Sequence, residues 1–154
     1  MYVAVVGARE ADPPTCQSAE DVGRALAKAG AVVVCGGLGG VMEAACRGAK
    51  SVGGLTVGIL PGVDRSDAND FVDVAIPTGM GEARNAIIVR AADALIAVGG
   101  EFGTLSEIAL ALGAGKPVIG LGTWELARAG QPDISIVRVD DAEEAVVLAL
   151  SPAS

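Results

Sequence analysis

The chain contains no histidine in its 154 residues. This absence excludes Ser-His-Asp and Cys-His catalysis, and it removes the side chain that most often binds zinc. The three cysteines, Cys16, Cys35 and Cys46, form no C-x-x-C pair, so we interpret them as buried thiols of a protein in a reducing compartment. Proton chemistry must then depend on carboxylates, lysine, tyrosine or cysteine. We predict no metal site and no resident cofactor.

Basic residues are also scarce, since 11 lysines and arginines oppose 19 acidic residues and the net charge is −8. A field of this sign opposes nucleic-acid binding, so any anionic ligand must be held by local donors. No apolar run reaches the roughly 18–20 residues of a membrane span. The first residues are typical of a strand, not of a signal peptide. These observations predict a cytoplasmic protein with no nucleic-acid and no membrane partner.

Aromatic residues make up only 3% of the sequence, whereas 51% is hydrophobic and 22 residues are glycine. A core of Ala, Val, Ile and Leu is typical of a parallel sheet covered on both faces. Strand-like and helix-like runs alternate, which predicts a single α/β domain over residues 1–154, a doubly wound parallel sheet of the Rossmann type with a frayed tail after residue 150. The predicted strands are Tyr2–Val6, Ala31–Cys35, Thr56–Leu60, Val72–Ile76, Ala94–Val98, Pro117–Leu121 and Ile134–Val139. The predicted helices are Pro14–Ala29, Gly40–Ala49, Gly81–Ala92, Thr104–Leu112 and Asp141–Leu150, and we also consider a short helix at Trp124–Ala129.

The stretch Gly99–Glu107 carries the strongest functional signal. It follows a predicted strand and opens a predicted helix. Backbone N–H groups at such a turn lie at the positive end of the helix dipole, where they bind phosphate. The predicted ligand contacts are Gly100, Glu101, Phe102, Gly103 and Thr104.

Glu107 is the only charged residue of its predicted helix. The helix is apolar almost all round, which favours burial on several sides and a subunit interface, in a homodimer or a homotetramer. A buried carboxylate has a perturbed pKa and is a candidate for catalysis, although a structural ion pair perturbs the pKa as well. Both interpretations of Glu107 stay open at this point.

Arg84 lies in the first turn of its predicted helix, where a cation opposes the dipole. A residue that breaks a local rule at the ligand edge of the sheet indicates a functional role. The alternative is a surface arginine paired with Glu82 or Asp93.

A second glycine cluster also joins a predicted strand to a predicted helix. It consists of Gly36, Gly37, Gly39 and Gly40. As a dinucleotide fingerprint it fails, because the last glycine of G-x-G-x-x-G would fall on Met42 and no acidic residue ends the second strand. The cluster forms either a tight turn or a close backbone approach to a ligand, and we favour the ligand.

These motifs resemble the LOG (Lonely Guy) family, whose signature is P-G-G-x-G-T-x-x-E with an arginine upstream. The matching positions are Gly100, Gly103, Thr104, Glu107 and Arg84. The departures are Gly99 for proline, Glu101 for the second glycine, and Asn85 for the lysine that usually follows the arginine. The Glu101 carboxylate could repel a phosphate, and Asn85 removes a cation.

The resemblance implies a nucleoside 5′-monophosphate or similar phosphorylated small molecule as ligand. If the protein is an enzyme, it implies phosphoribohydrolase chemistry on the N-glycosidic bond, with Arg84 and Glu107 as the catalytic residues. The stretches Gly36–Ala45 and Gly79–Asn85 are more similar to the branch with molybdenum-cofactor carrier proteins. That branch implies the alternative, a non-catalytic carrier of a pterin-type cofactor. DNA binding, as in the related DprA proteins, is disfavoured by the negative net charge.

Overall fold

A computed structural model describes residues 1–151, and the remainder of the predicted tail lies outside the described residues. The strands are β1 (Tyr2–Gly7), β2 (Val32–Cys35), β3 (Thr56–Leu60), β4 (Val74–Pro77), β5 (Ala94–Val98), β6 (Val118–Leu121), β7 (Leu126–Arg128), β8 (Gln131–Asp133) and β9 (Ile136–Val139). The helices are α1 (Pro13–Lys28), α2 (Val41–Lys50), α3 (Asn85–Ala91), α4 (Phe102–Gly113) and α5 (Ala142–Leu150), with 3₁₀ turns at Arg65–Asp67 and Gly81–Arg84.

Seven strands form one parallel sheet in the order β4-β3-β2-β1-β5-β6-β9. The chain runs outward from β1 to β4, returns to the centre at β5 and then runs outward to β9. The reversal therefore lies between β1 and β5, which pair from Val3 with Ala94 to Gly7 with Val98. Ligands of doubly wound sheets bind at this switch point, outside the carboxyl ends of the strands. The prediction of a doubly wound, Rossmann-like α/β fold is confirmed.

Both faces of the sheet are covered by apolar side chains. On β1, Val3 and Val5 pack into the cluster that contains residues of α1, α2 and α5. The alternate residues Ala4 and Val6 pack against α3 and α4 on the opposite face. This two-sided burial accounts for the nearly continuous apolar strands of the sequence. Among the helices of residues 1–151, none has the length and apolar character needed to cross a membrane.

Helix α2 is placed by an unusually close contact with α1. A Cβ on Gly23 would lie 1.9 Å from the carbonyl oxygen of Ala45, and a Cβ on Gly48 would lie 1.9 Å from the carbonyl oxygen of Glu20. Only glycine permits the two backbones to approach to this extent. At its other end, α2 directs its first turn toward the carboxyl end of β1, where the Val41 N–H donates to the Ala8 carbonyl at 3.1 Å.

Two predicted elements differ from the structure. The short helix considered at Trp124–Ala129 is wrong, because this segment enters the antiparallel hairpin of β7 and β8. Its two-residue turn needs a positive φ at both positions, and Ala129 and Gly130 have φ values of 51° and 80°, which suit the twist of a hairpin. The predicted helix Gly81–Ala92 is also divided: its first turn is 3₁₀, and α3 begins only at Asn85.

Candidate ligand-binding site

A cleft of about 610 Å³ opens at the carboxyl ends of the central strands, at the switch point. One wall comes from the end of β1 and the loop after it, residues 7–10, and from Leu38 and Met42 near the start of α2. A second wall comes from the segment around Arg84 and from the first two turns of α4. Elements that are distant in sequence therefore meet at the edge of the sheet where a ligand was expected.

The start of α4 faces this cleft with unpaired backbone donors. Glu101 is the N-cap residue, and its side chain accepts no capping hydrogen bond. The first helical bond is donated by the Leu105 N–H to the Glu101 carbonyl at 3.0 Å. Within residues 1–151, the N–H groups of Phe102, Gly103 and Thr104 have no hydrogen-bond acceptor. They lie at the positive end of the helix dipole and are available to an anion.

Gly100 shapes the loop that leads into α4. Its φ is +114°, and a Cβ there would lie 2.5 Å from the Cβ of Thr104. The loop therefore folds tightly over Thr104, which is only 3% exposed but still borders the cleft. Gly100 itself does not line the cleft, so its predicted ligand contact stays a prediction.

Arg84 is buried beside the cleft and is hydrogen-bonded in several directions. Its Nε donates to the carbonyl of Ile59 at 2.8 Å, its Nη2 donates to the carbonyl of Gly36 at 3.5 Å, and its Nη1 donates to Oδ1 of Asn85. The guanidinium thus connects the ends of β2 and β3 to the start of α3. Burial lowers the pKa of Arg84, and the nearby Glu107 opposes that shift. Arginine nevertheless remains a cation in proteins.

The alternative of a surface arginine is wrong for Arg84. The side chain is 8% exposed, and within the described chain it forms no ion pair with Glu82 or Asp93. Arg90, by contrast, is exposed to solvent.

Glu107 lies in the second turn of α4 and borders the cleft. It is 7% exposed, and it has no hydrogen bond and no ion pair among residues 1–151. Because no fully buried side-chain oxygen in this range lacks a partner, the carboxyl oxygens must reach the cleft surface. Burial raises the pKa of Glu107 to about 8, although the positive charge of Arg84 acts in the opposite direction. The side chain is therefore mainly a neutral carboxylic acid at pH 7, facing the space that a ligand would fill.

Asn85 connects the two helices of this wall, a role that the sequence did not indicate. Its Nδ2 donates to Oγ of Ser106 at 3.1 Å, and Ser106 in turn donates to the carbonyl of Gly103 at 2.6 Å. The residue at the family's lysine position therefore bridges the Arg84 guanidinium and the start of α4. The residue type alone predicts only a lost cation, because it does not reveal a partner 21 positions away.

The four glycines of the second cluster do not line the cleft, and protein atoms fill the space beside them. A Cβ would lie 2.7 Å from Nη2 of Arg84 at Gly36, 2.7 Å from Cδ2 of Leu60 at Gly37, 3.3 Å from the Arg9 carbonyl oxygen at Gly39, and 2.3 Å from the Ala8 carbonyl oxygen at Gly40. The four glycines therefore pack tightly against the protein itself. Ligand contact by these glycines stays a prediction, while their neighbours Leu38 and Met42 border the cleft.

Phe102 begins α4 with a free backbone N–H, but the residue is not part of the cleft lining. The ring is 76% exposed and stands 5.5 Å from the ring of Trp124. The Trp124 indole Nε1 donates to the carbonyl of Glu101 at 3.2 Å. This aromatic pair therefore fixes the N-cap of α4 from outside, while Glu101 and Gly103 border the cleft itself.

The chain is similar to known proteins in sequence, and it is similar to solved structures in fold. The chain is 54% identical over 121 residues to an uncharacterized protein of Archaeoglobus fulgidus, and this match covers 79% of the chain and 80% of that protein. The molybdenum cofactor binding protein from the phototrophic bacterium Rippkaea orientalis is 37% identical with a TM-score of 0.85, over 96% of this chain and 93% of that one. The molybdenum cofactor carrier protein from Chlamydomonas reinhardtii is 32% identical with a TM-score of 0.79, over 95% and 93% of the two chains.

The family model extends the match over almost the whole sequence. The model of the SLOG cluster4 family matches residues 1–151, which includes every element of the cleft. The resemblance to the LOG-like proteins and to the molybdenum-cofactor carriers is therefore confirmed at the level of family and fold. This chain belongs to the SLOG cluster4 family.

Proposed function

We propose that this protein binds a small molecule with a single phosphate group, of the pterin-cofactor type, and carries it without changing it chemically. The observation that carries the proposal is the set of free N–H groups of Phe102, Gly103 and Thr104 at the start of α4, where Gly103 and Thr104 line the switch-point cleft. The similarity to proteins named as binding or carrying the molybdenum cofactor supports the pterin class.

In this proposal, the phosphate is held by the backbone and not by an arginine fork. The three N–H groups donate to the phosphate oxygens at the positive end of the α4 dipole. Three of the guanidinium donors of Arg84 are already bonded to the protein. Arg84 therefore contributes positive charge from a fixed position, which offsets the charge of the ligand in an otherwise acidic protein.

The state of Glu107 favours carriage over hydrolysis. A carboxylate that stabilises an oxocarbenium-like ribose must be ionised. Because burial raises the pKa of Glu107 to about 8, most of this side chain is neutral at pH 7. A neutral carboxyl offers one hydrogen-bond donor and one acceptor to the ligand, which suits recognition of a heterocycle.

Phosphoribohydrolase activity on nucleoside monophosphates is the second candidate. It is favoured by the presence of Arg84 and Glu107 in one cleft, as the resemblance to the LOG enzymes implies. In that reaction the ionised fraction of Glu107 would position water or stabilise the oxocarbenium-like ribose.

A matched pair of glycine variants tests binding. A Cβ at Gly103 would meet no protein atom within 4 Å, and the same holds for Gly113 at the other end of α4. Gly103→Ala places a methyl group beside the free N–H groups, whereas Gly113→Ala makes the same change away from the cleft. We expect Gly103→Ala to weaken binding of the molybdenum cofactor by about tenfold or more, and Gly113→Ala to leave it unchanged.

The measurements are co-elution of the molybdenum cofactor in gel filtration and release of adenine from AMP. Cofactor retention without adenine release supports the carrier. Adenine release that disappears in Glu107→Ala establishes the hydrolase instead. Failure of the wild type to retain either ligand, or equal retention by Gly103→Ala, overturns the proposed site.

A further inference from the structure

The cleft carries more negative than positive side chains, which is unexpected for a site that binds phosphate. Its charged lining consists of the cations Arg9 and Arg84 and the carboxylates Glu10, Glu82 and Glu101, and the mainly neutral Glu107 lies beside them. The carboxylates outnumber the cations by one. The backbone donors at the start of α4 are therefore the favoured place in the cleft for an anionic group.

Glu101 lies closest in sequence to those donors, because it is the N-cap residue of α4. An Asp or Ser at an N-cap accepts a hydrogen bond from the first turn, but the Glu101 side chain makes no such bond. The N–H groups thus remain free, and Glu101, an exposed residue, lines the same cleft as Gly103 and Thr104. Its backbone is held in place by the indole N–H of Trp124, which donates to the Glu101 carbonyl at 3.2 Å.

Glu107 is a second, independent observation, and it indicates that an uncharged part of the ligand lies in this region of the cleft. It is 7% exposed, has no partner within residues 1–151, and opens into the same space. A second phosphate placed near Glu107 would meet a buried carboxyl group. The remainder of the ligand must therefore offer hydrogen-bonding groups and not additional negative charge.

We propose that Glu101 restricts this cleft to ligands with one phosphate, by repelling any second phosphate attached to the first. The proposal rests on the proposed function and specifies its ligand class, phosphate monoesters as opposed to diphosphates. The helix end compensates roughly half an elementary charge, so it does not neutralise a further phosphate. At a separation of about 8 Å and an effective dielectric of about 20, repulsion between a carboxylate and one additional negative charge would weaken binding by a factor of about 30. Because Glu101 is exposed, solvent and salt screen this repulsion, and about tenfold is the effect to be expected.

The test compares inorganic phosphate with pyrophosphate, which share their chemistry and differ in charge and length. Binding is followed by NMR through the amide signals of Gly103 and Thr104, at constant ionic strength and with EDTA present. The variants are Glu101→Gln, which removes the charge at constant size, and Glu101→Asp, which keeps it. Glu143→Gln is the matched control, since it changes the net charge equally at an exposed glutamate of α5.

We expect Glu101→Gln to improve pyrophosphate binding about tenfold more than phosphate binding. Glu101→Asp and Glu143→Gln should keep the wild-type ratio of the two affinities within about threefold. The difference between wild type and Glu101→Gln should also shrink when salt rises from about 50 to 500 mM, because salt screens the repulsion. If the size of pyrophosphate limited its binding, and not its charge, the ratio of the two affinities would be the same at all salt concentrations.

The outcomes separate this proposal from the proposed function. If the Glu101→Gln ratio equals that of the wild type, the charge filter is overturned while the phosphate site stands. If neither anion shifts the two amide signals in any variant, both the filter and the phosphate site are overturned. Thermal unfolding of each variant verifies that the fold is intact.

Discussion

Glu107→Gln should remove a large pH dependence of stability. The folded protein holds the pKa of Glu107 at about 8 because of burial, whereas in the unfolded chain this pKa has the ordinary value of a glutamate, 4.5. Between these two values the folded state binds one proton more than the unfolded state. The stability associated with Glu107 is therefore fully present below about pH 4.5, and it is lost as the pH rises toward 8.

The magnitude follows from the two pKa values. Each pH unit inside the window costs at most about 1.4 kcal/mol of unfolding free energy. From about pH 5.5 to 7.5, the wild type should lose about 2.5 kcal/mol relative to Glu107→Gln, whose amide does not titrate. For a domain of this size, the difference corresponds to a change in Tm of at least about 5 °C.

The assay is urea unfolding at constant temperature and several pH values between about 5.5 and 7.5, with Tm as a second readout. Glu143→Gln, at an exposed position, is the control that should follow the wild type. Parallel pH profiles for the wild type and Glu107→Gln would refute the reasoning. Such a result would mean that Glu107 is ionised in the folded protein, so that the cleft would hold a carboxylate and not a neutral carboxyl group.

Two further predictions concern the scaffold. Gly48→Ala should destabilise the protein by about 3 kcal/mol or more, because the new methyl group would lie 1.9 Å from the Glu20 carbonyl oxygen and force α1 and α2 apart. Chemical denaturation measures this loss of stability. The control variant Gly113→Ala should show no loss. Thr56→Val should lower the free energy of unfolding by about 2 kcal/mol, because the buried Thr56 hydroxyl donates to the Phe71 carbonyl at 2.6 Å and this carbonyl would lose its donor. An unchanged midpoint of urea unfolding would contradict this prediction.

The sequence predicted the parts of the fold that depend on local pattern. The strands Thr56–Leu60 and Ala94–Val98 have the predicted bounds, because each apolar run ends at glycine, proline or a charge. The hairpin at β7 and β8 was not predictable in this way, since Ala129 adopts a positive φ that its residue type disfavours. Local pattern therefore located the sheet but not the irregular segment between β6 and β9.

For the site, the sequence identified residues but not their partners. Arg84 and Glu107 were identified as exceptions to the local pattern, and the structure places both at one cleft. The hydrogen bond from Arg84 to Ile59 spans 25 positions, and the contact that holds Gly36 spans 48. Such contacts depend on strand order. For this reason the sequence could not show that protein atoms fill the space beside the glycine cluster.

The switch point between β1 and β5 has a consequence for the stability of the ligand-bound protein. The cleft is lined by the loop after β1 and by the start of α4, which follows β5. These two strands come from the two halves of the chain and pair from Val3 with Ala94 to Gly7 with Val98. A ligand that contacts both linings would bind only the folded chain, so at a hundred times its Kd it would stabilise the protein against unfolding by about 2.7 kcal/mol.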